Sequence, residues 1–238
     1  MADPLSRIKA ALQAQLAAGA AVVFTDTINA LRGFDPALTQ EELDRIARMR
    51  PPDQRRTHAL GRGLVRYFDD LPTAPFIQSA RGKPMAPQLC FNISHSGARV
   101  AIALHQSQPL GVDVERHTRN IRQDGMIDHV CHPGEKAWIT AHPEEQRDTA
   151  FLRCWVRKEA VLKARGTGLT DDLPRIDTRP AIAGPIIEHE GPLRIWDFPD
   201  GLSDDPGALA LPPAVGSVWF ASLQTVRLLT LSTEQGGV

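Results

Sequence analysis

Little in this chain points to a secreted, membrane or nucleic-acid setting. Only three cysteines occur, Cys90, Cys131 and Cys154, odd in number and widely spaced. That excludes a disulfide framework and reads as a reducing, cytoplasmic compartment. Aromatics make up 5% of the chain, with Tyr67 the single tyrosine, too few to interleave with basic residues as a base-stacking surface. Neither sign of charge dominates. The formal net charge is −1, so no global field recruits nucleic acid or an anionic membrane, and any basic site is local. Nothing approaches the run of about 18 apolar residues that a membrane-spanning helix needs. The stretch 9–24, KAALQAQLAAGAAVVF, is apolar, but Asp3 precedes it and two glutamines interrupt it, so it is not read as a secretory signal.

What is present is enough apolar material, 42% of 238 residues, for one or two domains with a substantial core. Apolar spacing predicts a helix over 5–17, a short strand over 21–24, a helix over 40–50 stopped by Pro51-Pro52, and a second helix over 53–69 despite Gly61 and Gly63. Three strands follow, at 89–94, 100–104 and 110–115, read as a meander. Helices are expected at 123–131, 134–141 and 146–165, the last closed by Gly166 and Gly168. A Pro/Gly-rich region over 174–216 carries one strand near 193–198, before a β pair at 218–223 and 227–231. No composition shift marks a linker, which favours two intimately packed halves.

The chemistry-bearing pattern is Gly111-Val112-Asp113-Val114-Glu115. Side chains alternate along a strand, so Val112 and Val114 face a core while Asp113 and Glu115 share the opposite face. Two neighbouring carboxylates call for a cation between them. Mg²⁺ suits that need, since it takes one or two carboxylates and completes its shell with water and phosphate oxygens. A third acid, Glu159, lies on the long helix with Lys163 one turn on. Each piece alone has a plainer reading: an Asp-x-Glu strand is usually a solvated face, and an i, i+4 Glu/Lys pair is usually a surface ion pair worth about 0.3–0.5 kcal/mol. Trp155, spaced helically from Phe151 and Leu162, is read as core.

Three blocks in register change that balance. Phe91-Asn92-Ile93-Ser94-His95-Ser96, then Gly111 to Glu115, then Trp155 through Lys158-Glu159 and Lys163 to Gly166-Thr167-Gly168 resemble the 4′-phosphopantetheinyl transferase superfamily in its larger, surfactin-synthetase-activating type. The resemblance covers about residues 82–169. It implies an α+β fold of two similar halves, each a small antiparallel sheet packed with helices and related by a pseudo-twofold. Residues 1–112 would supply coenzyme A phosphate contacts and 113–238 the metal-binding and catalytic residues, with the active site in the cleft between them. It also implies transfer of the phosphopantetheine arm of coenzyme A to a serine of an apo carrier protein, with release of 3′,5′-ADP.

On that resemblance Asp113, Glu115 and Glu159 hold Mg²⁺ (Mn²⁺ being a possible substitute), with Glu159, or a water it activates, as base. Lys163 stabilises the departing oxyanion or donates a proton to it. His95 contacts the 3′-phosphate of coenzyme A, and Ser94 and Lys83, the latter in the turn Gly82-Lys83-Pro84, line the nucleotide site. The segment 45–66 holds seven arginines against the single acid Asp53, a local excess suited to gripping phosphates bidentately. Arg45, Arg48 and either Arg55 or Arg56 are the matches there. Glu135 stands as either a fourth carboxylate near the metal or a surface residue. Residues 116–145, with His117, Arg119, Ile121, Arg122 and Met126, are the expected carrier-protein surface. The larger type is monomeric, and neither nucleic acid nor membrane is an expected partner.

Rival readings use other features. His129, Cys131, His132 and Cys154 would be a zinc set, but lack the paired Cys-x-x-Cys spacing of structural zinc. The arginine segment could bind nucleic acid, which the charge balance does not support. A relative that binds coenzyme A or carrier protein without transfer is the third alternative; the three carboxylates and Lys163 speak against it.

Overall fold

The apolar run Ala20–Thr25 is buried at every position, unlike a strand with one wet face, because both of its faces are covered. In the computed structural model, which describes residues 4–17, 19–25, 37–70, 75–79, 83–117, 125–168, 172–180, 186–187, 191–223 and 227–232, this run is strand β1. The remaining elements, in chain order, are α1 (Pro4–Leu16) before it and then α2 (Gln40–Ala47), α3 (Pro52–Asp69), β2 (Ile77–Gln78), β3 (Pro84–Met85), β4 (Cys90–Ser96), β5 (Arg99–His105), β6 (Gly111–Val114), α4 (Met126–Val130), α5 (Pro133–Thr140), α6 (Arg147–Arg165), β7 (Ile186–Ile187), β8 (Leu193–Asp197), β9 (Gly207–Leu211), β10 (Ser217–Ser222) and β11 (Arg227–Ser232). The mixture of helix and sheet is that of an α+β protein.

One sheet has the order β11-β10-β1-β5-β4, a second the order β6-β9-β8-β7, and β2 and β3 form a separate ribbon. Alternation along β1 and β5 explains the layering. Ala21, Val23, Val100, Ile102 and Leu104 face a core made with Leu12 of α1 and Leu60 and Leu64 of α3. Ala20, Val22, Phe24, Ala101 and Ala103 face Val112, Val114 and Leu209 of the second sheet. That sheet turns its other face, through Ala208 and Ala210, toward Ala160, Val161 and Ala164 of α6. The order through the molecule is helices, sheet, sheet, helices.

Three expectations are corrected. The meander ends after β5: β6 pairs with β9 in the other sheet, leaving β4 and β5 as a hairpin. The first sheet is mixed rather than wholly antiparallel, because β10 returns from the far end of the chain to lie parallel to β1. The Pro/Gly-rich region carries β7, β8 and β9 where one strand was expected. Gly207-Ala-Leu-Ala-Leu211 has no β-branched residue, so its strand character comes from burial between layers rather than from local preference.

Helix ends follow their sequence signals. Thr39 and Glu42 form a capping box at the start of α2, worth about 0.5–2 kcal/mol. α6 stops at Gly166, whose φ of 67° needs a residue without a side chain. Among the described residues no helix is long and apolar enough to cross a membrane.

Candidate active site at the seam between the sheets

Strand β6 lies on the edge of its sheet, and β4 on the edge of the other. Their backbones do not form a ladder; every second side chain of β4 bridges them instead. Asn92 Oδ1 accepts from the N–H of Val112 at 2.8 Å. Ser94 Oγ accepts from the N–H of Val114 at 3.3 Å and donates to Asp113 Oδ1 at 2.7 Å. Ser96 Oγ accepts from the N–H of Arg116 at 3.2 Å and donates to Glu115 Oε2 at 2.6 Å. The period of two in Asn92-x-Ser94-x-Ser96 places all three on one side of the strand. This row satisfies edge N–H groups that otherwise lack a strand partner, and it fixes both carboxylates. Asn92 and Ser96 were not singled out from sequence, although the alternating polar positions carry the signal.

Val112 and Val114 are buried against the first sheet, so Asp113 turns the other way, as the alternation predicts. There it meets α6. Lys163 Nζ lies 2.5 Å from Asp113 Oδ1 and 3.2 Å from Ser94 Oγ. Asp113 is 4% exposed, and its second oxygen, Oδ2, is buried with no hydrogen-bond partner among the described residues. Glu159 precedes Lys163 by one turn of the same helix and so shares the side of α6 that faces β6. Gly111 allows the close approach: a Cβ there would overlap the Ala160 carbonyl and the Ala164 amide and come within 2.8 Å of the Lys163 carbonyl carbon.

Among the described residues no group of three or more His, Cys, Asp or Glu side chains forms a ready metal cluster; the Lys163 ammonium stands against Asp113 Oδ1. The donor chemistry nonetheless fits a hard cation. A buried carboxylate oxygen with no donor is costly unless a cation or proton meets it, and among the described residues nothing donates to Asp113 Oδ2.

Lys83 donates to the carbonyls of Leu110 and Lys163, at 3.0 and 2.7 Å. It ties the start of β3 to the end of α6. Burial, with the nearby charge of Lys163, holds its ammonium below the ordinary lysine range. It also lines a largely apolar cavity of about 700 Å³ with Met85, Leu110 and Gly166. His95 has an exposed edge at the end of β4, yet the protein around the rest of its ring and the charge of Lys163 lower its pKa. The ring of His58, on α3, stands 6.3 Å from that of His95 at an interplanar angle of 68°.

The arginine segment divides. Arg66 is buried, and Arg62 nearly so. Both bind Glu42, at 2.8 and 2.7 Å, and both stack on Phe76. Burial alone would raise the pKa of Glu42; these two cations and the Thr39 N–H hold it down. Arg62 and Arg66 are therefore committed to joining α2 to α3. Arg45, Arg48, Arg55 and Arg56 are exposed, with the Arg55 guanidinium donating to the Met49 carbonyl at 2.5 Å.

Glu135 is neither a surface residue nor a carboxylate open to a metal. It and Lys158 are both 0% exposed and paired at 2.9 Å. Glu135 also accepts from Thr178 and from the His132 N–H, and Lys158 donates to the carbonyls of Leu173 and Ile176. Cys131 and Cys154 are buried, and their thiols are pushed up, Cys131 to about 12, which opposes the thiolate form zinc requires. Trp155 stacks on Phe151 and packs on the α6 core, as its spacing predicts. Of the expected carrier surface, His117 is fixed through its N–H by Asp205, and Met126 packs against the α6 core. Gly82, Arg119, Ile121 and Arg122 lie outside the described residues.

Comparison with known proteins bears on the same stretch. A family model described as the 4′-phosphopantetheinyl transferase superfamily matches residues 109–200. The chain is similar to the 4′-phosphopantetheinyl transferase HetI of Nostoc sp., 30% identical over 151 residues, covering 58% of this chain and 64% of that protein. It is also similar to Sfp of Bacillus subtilis, 31% identical over 167 residues, covering 61% of this chain and 73% of Sfp. The AcpT protein of Escherichia coli is 36% identical over 110 residues, covering 44% and 55%. The match thus spans less than two thirds of the length of HetI and about half that of AcpT.

Proposed function

Because the chain belongs to the 4′-phosphopantetheinyl transferase superfamily, we propose that it moves the phosphopantetheine arm of coenzyme A onto a serine of an apo acyl or peptidyl carrier protein. The observation that carries this reading is the arrangement at Asp113: a buried carboxylate with one oxygen lacking a donor, flanked by Glu115 and faced by the side of α6 that bears Glu159 and Lys163.

The serine Oγ forms a bond to the phosphorus bearing the pantetheine arm, the bond from that phosphorus to the bridging oxygen breaks, and 3′,5′-ADP leaves. Glu159, directly or through a water, takes the serine proton. Lys163 stabilises the oxyanion on the departing ADP or returns a proton to it. Charge placement and alignment dominate such a transfer, since the protein forms no covalent bond to the phosphoryl group. Asp113, Glu115 and Glu159 would hold Mg²⁺ or Mn²⁺, which when bound supplies Lewis-acid stabilisation of diphosphate oxygens. Ser94 and Ser96 keep the first two carboxylates aligned. His95, Lys83, Arg45, Arg48 and one of Arg55 and Arg56 serve the nucleotide and its phosphates.

On the same reading residues 1–112 supply the coenzyme A contacts and 113–238 the metal and catalytic groups, two halves related by a pseudo-twofold. Support comes from the seam itself, where Ser94 of the first half meets Asp113 and Lys163 of the second. The protein acts as a cytoplasmic monomer with no nucleic-acid or membrane partner.

The test is incubation with apo carrier protein, coenzyme A and Mg²⁺, read by mass spectrometry for the added arm. Wild type adds the arm, while Asp113→Ala and Glu159→Ala do not. Full turnover by Asp113→Ala refutes the metal assignment. Tight coenzyme A binding without transfer to any of a panel of fatty-acid, polyketide and peptide-synthetase carriers would favour a non-catalytic relative.

A further inference from the structure

The carboxyl-terminal end of α3 holds a buried acid that the proposed reaction does not use. The helix closes on Asp70, whose φ of 55° lies in the left-handed region that aspartate tolerates and whose N–H reaches the Arg66 carbonyl. Asp69, just before it, is 7% exposed, and its Oδ2 is buried with no hydrogen-bond partner among the described residues. Both acids line a cavity of about 410 Å³. Gln13 of α1, Gln88 before β4 and Gln106 after β5 line it too and are exposed, which puts their carboxamides at its rim. Phe68 and Leu89 are buried and give it an apolar wall.

The two acids are not equivalent. Asp70 is exposed and paired with Lys9, and the Gln13 amide donates to it at 3.4 Å. Lys9 is further occupied by the Tyr67 carbonyl at 2.6 Å, and Arg66, in the last turn of the helix, is taken by Glu42. Asp69 is left without a cation of its own. Burial, then the charge of Asp70, raises its pKa to about 6 against the pull of Lys9. The end of a helix carries partial negative charge, which disfavours a carboxylate there and favours a cation beside it. A metal ion finds too few ligands, since the cavity offers two acids, one already paired, and among the described residues no group of three or more His, Cys, Asp or Glu forms a cluster. One free carboxylate, carboxamide oxygens and an apolar wall suit instead an ammonium group on an alkyl chain.

We infer that the cavity at the end of α3 binds a small primary alkylammonium compound, with the ammonium on Asp69 and the alkyl chain against Phe68 and Leu89. Gln88 and Gln106 stand at the open end of the β4–β5 hairpin, where Cys90 pairs with His105, whereas Ser94, His95 and Ser96 lie toward its closed end. The site is therefore separate from the seam and does not depend on the proposed function. It also gives a reason for an acid that costs stability when the cavity is empty: the bound cation supplies the partner that the fold withholds.

The experiment is calorimetric titration of n-butylammonium chloride at fixed ionic strength and pH 8, where Asp69 is ionised, with n-butanol, Mg²⁺ and Nα-acetyl-lysine methylamide as comparators. Wild type is expected to bind n-butylammonium in preference to all three. Loss of a hydrogen bond to a charged group predicts that Asp69→Asn binds it at least about tenfold more weakly. The pH dependence of wild type supplies a second readout that needs no variant. With the Asp69 pKa at about 6, about a tenth of its carboxyl groups are ionised at pH 5, so the affinity falls about tenfold there. An unchanged affinity in a folded Asp69→Asn, an affinity in wild type that ignores pH, or binding of n-butanol or Mg²⁺ as tight as that of n-butylammonium would overturn the assignment. Tighter binding of the lysine derivative would overturn it as well, because the site would then belong to a lysine side chain of a protein partner.

Discussion

Gly111→Ala tests whether the backbone contact between β6 and α6 sets the reaction geometry. The new Cβ would lie 2.8 Å from the Lys163 carbonyl carbon and overlap the Ala160 carbonyl and the Ala164 amide outright. Carbon atoms in comfortable contact are about 3.5–4.0 Å apart, so α6 must retreat by roughly 1 Å. The obstructing atoms are backbone, so no side-chain rotation relieves the contact. Overpacking of this kind costs about 1–3 kcal/mol, measurable as a lower midpoint in urea with an unchanged slope. The retreat carries Lys163 away from Asp113, where the present separation is 2.5 Å. A displacement of about 1 Å in a positioning element lowers turnover on the order of a hundredfold. Transfer measured at saturating coenzyme A and carrier isolates that effect. If Gly111→Ala unfolds at the wild-type urea concentration and turns over at the wild-type rate, the close approach of helix and strand is not what aligns the site.

Other perturbations follow from single contacts. Glu135→Ala leaves the Lys158 ammonium buried without its counter-ion and is expected to cost about 3–5 kcal/mol in chemical denaturation; a loss under 1 kcal/mol would show that the two are not paired. Ser94→Ala removes the donor to Asp113 Oδ1 and the acceptor for the Val114 N–H. It should lower stability by about 1–3 kcal/mol and lower the rate of transfer, and an unaltered rate would count against Ser94 as an aligning group. Asp69 has one buried oxygen with no partner among the described residues, and burial with the charge of Asp70 raises its pKa from 3.8 to about 6. A carboxyl group raised in the folded state binds protons more tightly there than in the unfolded chain. Its contribution to stability is therefore greatest below its unfolded value and falls as pH rises toward 6. Asp69→Asn should flatten that part of the stability profile and stabilise the protein by about 1–3 kcal/mol at pH 7; a variant less stable than wild type at pH 7 would sink this account.

Local signals sufficed where one face or one cap decided the outcome. The placement of Val112 and Val114 away from Asp113 followed from alternation, and the end of α6 followed from Gly166. Partner choice was less legible. Its closeness to β5 in sequence predicts β6 as the third strand of a meander, but the side chains of Asn92, Ser94 and Ser96 take the place a backbone ladder would have filled. Arg62 and Arg66 looked like phosphate ligands in a count of charges; their commitment to Glu42 depends on how α2 folds against α3, some 20 residues apart in sequence. Glu135 was ambiguous for a similar reason, since Lys158 reaches it only once α5 and α6 pack. His58 carries no pattern of its own, and the approach of α3 to β4 is what sets its ring against that of His95.

The seam has a consequence for how the molecule tolerates change. A continuous backbone ladder is indifferent to side-chain identity, whereas two plates riveted at Asn92, Ser94 and Ser96 depend on three particular residues. Two of those rivets also grip the acids, so on the proposed function drift at these positions loosens the joint and misaligns the chemistry together. Rigidity and reactivity are inherited as one trait here, and neither can be tuned alone.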